Sequence, residues 1–322
     1  MKKKVNVLLT GVGSTTAISV IKGLKKQNEY EIFIVGIDIF DENDIAGSKF
    51  CNKFFMVPPA TNEIEYISKL LDIINRESID VLIPIIDIEL EVIAKNINVF
   101  KNIFILLSNY ETIIICNDKL KTYEFFKKFK IPTLETVFLE NLDDFTNMIP
   151  HKKICYPFII KPRKGVSSRD VYEIRNFEEN GLIKRIEEPI IQEKGYGNEY
   201  TIDIFGDGKR LISAVPRIRI ETRSGISYKG KTVENETLIK YCESIYRELK
   251  FMGPANLQCF VNDGDIKFFD INPRFSGSLP LTIESGVNTP LLAIKMVKNH
   301  QLEPITNFKI VKMCRYWDEV FF

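Results

Sequence analysis

Histidine is nearly missing from this chain. Two, His151 and His300, occur in 322 residues. That argues against a zinc centre built on several imidazoles and against a Ser-His-Asp triad. Six cysteines are scattered without a Cys-x-x-Cys pair, a pattern that fits reduced core thiols in a cytoplasm. Neither sign of charge is in excess. Lys+Arg of 44 against Asp+Glu of 43 leaves +1, so the basic surplus that nucleic acid would ask for is lacking. No apolar run approaches the ~20 residues of a membrane helix. The opening Met1-Lys-Lys-Lys reaches Gly11 and polar residues too soon for a signal peptide. Internal repeats and low-complexity segments are also wanting. What is present is 45% hydrophobic and 11% aromatic residues, enough for two domains or three small ones.

Apolar runs at 5–9, 32–37, 81–86 and 103–107 alternate with helical spacing at 17–24, 64–74 and 89–96. The pattern predicts a parallel sheet covered on both faces, a Rossmann-like α/β unit ending near residue 112. Its turn, Gly11-Val-Gly13-Ser-Thr-Thr16, has Thr16 where a dinucleotide fingerprint has its third glycine, so NAD is disfavoured. Asp87 and Glu89 follow a strand end, where ligands of open sheets bind; helix capping by Asp87 is the expectation and a substrate-amine contact the alternative.

The densest chemistry lies at Gln258-Cys-Phe-Val-Asn-Asp-Gly-Asp-Ile-Lys-Phe-Phe-Asp270-Ile-Asn272-Pro-Arg274. It reads as a β-hairpin turning at Asp263-Gly264. Asp270 and Asn272 share a face at the strand end, with Gln258 on the partner strand. One carboxylate and two amide oxygens make a hard-oxygen site suited to Mg²⁺ shared with phosphate oxygens. Arg274 continues the period and suits a second anion.

These residues resemble the metal-binding signature of the ATP-grasp superfamily, in its carbamoyl-phosphate-synthase-like branch, where Gln is an accepted first ligand. Asp270 stands where that family usually has Glu. Three earlier segments carry the resemblance in the same order. Lys119 resembles the first ATP lysine. Lys161, with Ser167 and Ser168 in the following loop, resembles the second lysine and the phosphate-covering hairpin, in a short and glycine-poor form. Gln192-Glu193-Lys194 and Glu199 resemble the adenine hinge and the ribose-side acid.

The resemblance implies an α/β fold: a Rossmann-like pre-ATP-grasp domain over 1–112, then a two-part α+β ATP-grasp module over 113–322. The module would divide into a lid over about 120–193 and a metal and substrate part over about 194–322. It also implies ATP with Mg²⁺, Mn²⁺ being an expected substitute. The reaction implied is activation of a small-molecule carboxylate as an acylphosphate and its joining to an amine. Lys161 and Arg274 would be catalytic, Arg274 stabilising the transferring phosphoryl group. Arg217 and Arg219, in an alternating strand read as either a solvated edge or an acceptor pocket, and Ser276 and Gly277 would hold the acid. Carbamoyl-phosphate-type phosphorylation and a non-catalytic ATP-binding role are the alternatives. A homodimer is a family-level expectation, as is the absence of nucleic-acid and membrane partners.

Overall fold

The computed structural model describes residues 2–138, 154–165, 169–223 and 225–322. The first apolar run forms β1 (Lys3–Leu9), which pairs in parallel with β2 (Tyr30–Asp38) and β4 (Val81–Ile83). With β3 (Lys53–Met56) and β5 (Phe104–Ile105) the sheet order is β3-β2-β1-β4-β5, all parallel. Parallel neighbours need crossovers, and α1 (Thr15–Lys25), α2 (Glu63–Arg76) and α3 (Asp87–Lys95) supply them. At the β1–α1 turn Gly11 has φ +57°, and a β-carbon there would meet the Ile86 side chain at 2.6 Å. A chain with a side chain at this position could neither turn this sharply nor lie this close to the β4 end.

A second, antiparallel sheet has the order β14-β13-β10-β11-β12-β15. It is built from β10 (Asn198–Asp207), β11 (Leu211–Arg223), β12 (Ile226–Thr232), β13 (Met252–Asn262), β14 (Asp265–Asn272) and β15 (Lys312–Cys314). The turn between β13 and β14 falls at Asp263 (φ +46°) and Gly264 (φ +87°), the two-residue hairpin read from the sequence. Its far face buries the helix Glu236–Leu249 through Leu238, Cys242, Ile245 and Leu249. A third sheet, β6 (Thr136–Phe138), β9 (Pro189–Glu193), β7 (Phe158–Pro162) and β8 (Tyr172–Ile174), has the order β6-β9-β7-β8.

One apolar core joins the two halves of the chain. Val20, Ile21 and Leu24 of α1 pack with Leu279, Ile283 and Ile294, from the helices Leu279–Glu284 and Thr289–Val297. The first sheet is thus closed on one face by α2 and α3 and on the other partly by the end of the chain. This sets the α1 N-terminus beside the loop that follows β14. Among the described residues no helix is long and apolar enough to cross a membrane.

Candidate active site

The second and third sheets face one another across a cleft of about 690 Å³. On the second sheet, cross-strand register sets Gln258 opposite Asp270 and Asn256 opposite Asn272. Asn272 Nδ2 donates to Asp270 Oδ2 at 3.1 Å and to Asn256 Oδ1 at 3.3 Å. Gln258, with Nε2 donating to Asp270 Oδ2, accepts from Arg219 Nη1, both at 3.3 Å. Asp270 is therefore solvated by two amide NH₂ groups, and both amide oxygens face guanidinium groups. A hard cation fits this set once those amides rotate their oxygens toward Asp270. Among the described residues no three His, Cys, Asp or Glu side chains are placed to hold a metal ion together, so a cation here would depend on phosphate oxygens for the rest of its shell.

Across the cleft, β7 delivers Lys161 and β9 delivers Gln192. Lys161 Nζ donates to Gln192 Oε1 at 2.8 Å, and Gln192 Nε2 donates to Thr136 Oγ1 at 2.8 Å. The ammonium is buried and lies 5.6 Å from the Phe269 ring centroid. Burial pushes the Lys161 pKa down to about 8; Asp270 opposes that shift and Lys119 adds to it. A phosphate would reverse the burial effect by supplying a partner. Lys119 opens the helix Lys119–Lys128, and its Nζ donates to the Gly165 carbonyl at 3.0 Å. Asp118 caps that helix through Leu120 and Lys121 N–H. It also takes Arg163 Nε at 2.9 and 2.8 Å and Nη2 at 2.7 Å. One carboxylate thus ties the first lysine's helix to the end of the second lysine's strand. Ser167 and Ser168 lie outside the described residues.

The hinge candidates line the same cleft, but their side chains are already engaged. Glu193 Oε1 accepts from Lys267 at 2.6 Å and Oε2 from the Glu135 N–H at 3.2 Å. Lys194 pairs with Glu173 at 3.0 Å. What the hinge offers is close approach. A β-carbon on Gly195 would meet Phe260 at 2.1 Å. Phe260 stacks on Phe269 with centroids 5.1 Å apart, and Leu134 and Ile159 line the cleft with them. This end is a flat apolar slot. Glu199 holds Arg219 Nη1 at 2.5 Å; burial raises the Glu199 pKa, with Arg219 opposing.

The far end is basic and closely held. Arg217 is 1% exposed, bonded to Asp203 Oδ1 at 2.5 Å and to Ser276 Oγ at 2.9 Å. Arg219 Nη2 donates to the Gly225 carbonyl at 2.7 Å. The Nε atoms of both arginines are buried without a hydrogen-bond partner. Gly277 and Thr16 meet here: a β-carbon on Gly277 would stand 3.5 Å from Thr16 Oγ1. The strand carrying these arginines is not an edge. β11 lies between β10 and β12, and register shifts after Arg219 and Glu221 break the alternation that would have put 217, 219, 221 and 223 on one face.

Arg274 connects the cleft to the first sheet. Its Nε donates to Asp87 Oδ1 at 2.8 Å, its Nη2 to Asp87 Oδ2 at 3.2 Å and to Asn272 Oδ1 at 3.2 Å. Capping of α3 by Asp87 is therefore corrected. Ile86 is the capping residue and Asp87 the first helical one, its carboxylate turned to Arg274. Glu89 is buried and bonded by the Thr10 hydroxyl and the Ile86 N–H. The Gly-rich turn is closed from within, Gly13 N–H donating to Asp38 Oδ2 at 2.8 Å. The acid that would hold an NAD ribose is thus already used.

Several lining residues escaped the sequence reading. Asn256 could have been found, since it precedes Gln258 by one alternation. Phe269 could not: a bulge between Gln258 and Cys259 pairs Cys259 with Phe268 and brings Phe269 and Asp270, adjacent in sequence, to the same cleft. Thr136 and Arg315 support the lining from behind and carry no local motif. Arg315 donates to the carbonyls of Gly277 and Ser227 and so fixes the 276–278 loop.

Residues 185–316 match the family described as ATP-grasp in the biosynthetic pathway with Ter operon, and residues 7–107 match the PylC-like N-terminal domain. The carbamoyl phosphate synthase large chain of Clostridium acetobutylicum is 24% identical over 261 residues, 74% of this chain and 24% of that protein. The chain thus spans about a quarter of the length of that relative. The D-alanine–D-alanine ligase of Petrotoga mobilis is 26% identical over 218 residues, covering 60% of this chain and 70% of that one. Among solved structures, N5-carboxyaminoimidazole synthetase from Staphylococcus aureus complexed with ADP superposes with TM-score 0.75 at 17% identity, covering 97% of this chain and 80% of that one. L-amino acid ligase from Bacillus licheniformis gives 0.71 at 13%, covering 92% and 75%.

Proposed function

We propose, from the chain's place in the ATP-grasp superfamily, that it is an ATP-dependent ligase. It would activate a small-molecule carboxylate as an acylphosphate and join it to an amine, releasing ADP and phosphate. One observation carries this reading. A single cleft is lined by an apolar slot under the hinge, a lysine pair, an oxygen donor set and a basic end with two arginines.

The purine suits the slot between Phe260, Phe269, Leu134 and Ile159. Lys119 and Lys161 meet the phosphates, and Gln192 holds Lys161 in place. Gln258, Asp270 and Asn272 are the residues that would hold Mg²⁺, which supplies charge neutralisation of the transferring phosphoryl group. Arg274 stabilises that group from the side away from Lys161. The acid oxygen attacks phosphorus, a P–O bond forms and the bond to ADP breaks. The amine nitrogen then attacks the acyl carbon, a C–N bond forms and the C–O bond to phosphate breaks. Phosphate leaves with the electron pair and takes up the amine proton.

Glu193 enters as hinge backbone, its carboxylate being engaged, with Lys194 beside it. Glu199 serves the ribose side, exchanging Arg219 for sugar hydroxyls. Ser167 and Ser168 belong with the phosphates, and Arg217, Arg219, Ser276 and Gly277 with the acid. Mn²⁺ substitution, a homodimer, a cytoplasmic location and a division of the chain at 112/113 complete this reading.

The test is Mg²⁺- and ATP-dependent hydroxamate formation, with hydroxylamine as the amine, across amino acids and small carboxylic acids. A signal that disappears in Lys161→Ala and Asp270→Ala is expected. No hydroxamate from any acid, with ATP still bound, would favour the non-catalytic alternative, which the single carboxylate of the donor set supports. A signal from bicarbonate alone would favour carbamoyl-phosphate-type chemistry, which the similarity to that synthase supports.

A further inference from the structure

A second cavity, of about 510 Å³, adjoins the first at the metal strand. The two cavities share Lys119, Gly165, Asp270 and Asn272 as a common wall. Beside this shared wall an ion pair bridges the two: Arg274 lines the first cavity and Asp87 the second. The Asp87 side chain is 16% exposed. Its backbone is fixed by Asn117, whose Nδ2 donates to the Asp87 carbonyl at 3.0 Å.

Two other carboxylates of the second cavity face lysines. Glu63 pairs with Lys95 at 2.8 Å, and Glu91 lies 3.8 Å from Lys164. Asp87 differs because the cation it pairs with is the guanidinium that the ligase reading assigns to the transferring phosphoryl group. When a phosphoryl dianion competes for Arg274, the largely buried Asp87 carboxylate loses charge compensation, which is costly unless another cation or N–H donor replaces it.

We propose that the second cavity admits the amine acceptor and that Asp87 is the group that receives it. This rests on the ligase reading and adds to it where the nucleophile enters. Acid and nucleotide occupy the first cavity, the amine waits in the second, and the Asp87–Arg274 pair links them until the phosphoryl group draws Arg274 away. Asp87 is a positioning residue for the nucleophile, which reaches the acyl carbon past the Arg274 side chain. Ile88, 46% exposed on the wall of the second cavity, stands on the route.

The experiment uses the full chain, the acid that scores in the hydroxamate screen, and hydroxylamine varied to saturation. Asp87→Val removes the acceptor contact; Ile88→Trp narrows the cavity and leaves the ion pair intact. Both are expected to raise the KM for hydroxylamine at least fivefold without raising the KM for ATP or for the acid. Asp87→Glu is expected to recover part of the loss. If both variants keep the wild-type KM for hydroxylamine, or raise all three KM values together, the second cavity is not the amine route and the ligase reading stands without it. If the wild type forms no hydroxamate from any acid, the ligase reading fails and this inference fails with it.

Discussion

Lys161 Nζ sits 2.8 Å from Gln192 Oε1, a bond between neighbouring antiparallel strands that puts a buried ammonium against a neutral amide instead of a carboxylate. A neutral partner holds the lysine without spending its charge, which stays available to a phosphate. It also leaves burial uncompensated, which is why the Lys161 pKa falls to about 8. In the free protein Lys161 is protonated below about 8 and loses its charge above it. Bound phosphate favours the protonated form, so ATP affinity weakens as pH rises through that value, and binding there takes up a proton. Calorimetry in buffers of different ionisation enthalpy would measure the uptake. Lys161→Met should abolish it and cost about 10²–10³-fold in turnover. Equal proton uptake in wild type and Lys161→Met would assign it elsewhere.

Asp270 is the one carboxylate in the candidate donor set, so its charge cannot be shared with a neighbour. Asp270→Asn is expected to lower turnover by roughly 10²–10³-fold and to raise the Mg²⁺ concentration needed for half activity. Gln258→Ala, a neutral ligand lost, should cost closer to 10-fold. Asp270→Glu adds a methylene on a strand whose register is fixed by β13. It should retain part of the activity and shift the Mg²⁺ requirement. Metal-dependence curves that overlay for wild type and Asp270→Asn would remove Asp270 from the site.

The first sheet holds a buried acid with no part in the cleft. Burial raises the Glu89 pKa from its usual range to about 7, against the opposing bond from Thr10. Because the folded value lies above the unfolded one, the stabilising contribution is complete below about 4.5 and is lost as pH rises through about 7. The shift corresponds to a difference on the order of 3 kcal/mol between the ends of that window. Glu89→Gln keeps the shape and removes the titration. Urea denaturation should show wild-type stability falling from pH 5 toward pH 8 and a flatter profile in the variant.

Period and order made much of this legible. The parallel sheet follows from apolar runs alternating with 3.6-period segments, and the metal strand pair from two-residue spacing around an Asp-Gly turn. Strand alternation failed where the ladder is irregular. The bulge near Cys259 hid Phe269, and the shifts in β11 released Glu221 and Arg223 from the face of Arg217. Partners across long separations were also beyond reach. Asp87 with Arg274 joins residues from the first and second sheets that only tertiary packing brings together, and Thr136 under Gln192 depends on the pairing of β6 with β9. Charged residues read as ligand contacts, Glu193 and Arg217 among them, turned out to have protein partners first. A list of residue types cannot show which charges are already spent.

Asp118 combines a helix cap and a buried ion pair. Arg163→Ala would leave its 1%-exposed carboxylate facing only backbone donors. Breaking a buried pair from one side costs about 3–5 kcal/mol; Arg163 is partly exposed, so the low end is expected. Burial raises the Asp118 pKa, but Arg163 and the backbone donors outweigh it and hold it below the ordinary value. The contribution of the pair is therefore present at neutral pH and is lost on acidification. Chemical denaturation near neutrality and in acid should show the two proteins converging as pH falls. A wild-type advantage that persisted in acid would place the stabilisation in the packing of Arg163.

Gly195 offers the sharpest test of the apolar slot. Its α-carbon passes so close to Phe260 that a β-carbon would stand 2.1 Å from the ring. The ring cannot retreat freely, because it stacks on Phe269, which the bulge holds toward Lys161. Gly195→Ala must therefore push the hinge away from the slot or tilt the Phe260 ring into it. Overpacking of this kind costs about 1–3 kcal/mol, and the displaced groups are those proposed to contact the purine. The expected result is a KM for ATP raised about tenfold, with kcat and the KM for the acid nearly unchanged, because the lysines and the metal strand do not move. Phe260→Ala in the same background removes the clash and should bring the KM of the double variant below that of Gly195→Ala alone. If Gly195→Ala instead lowered kcat at constant KM, the slot would not be where the nucleotide base sits, and the cleft would have to be read in the opposite direction.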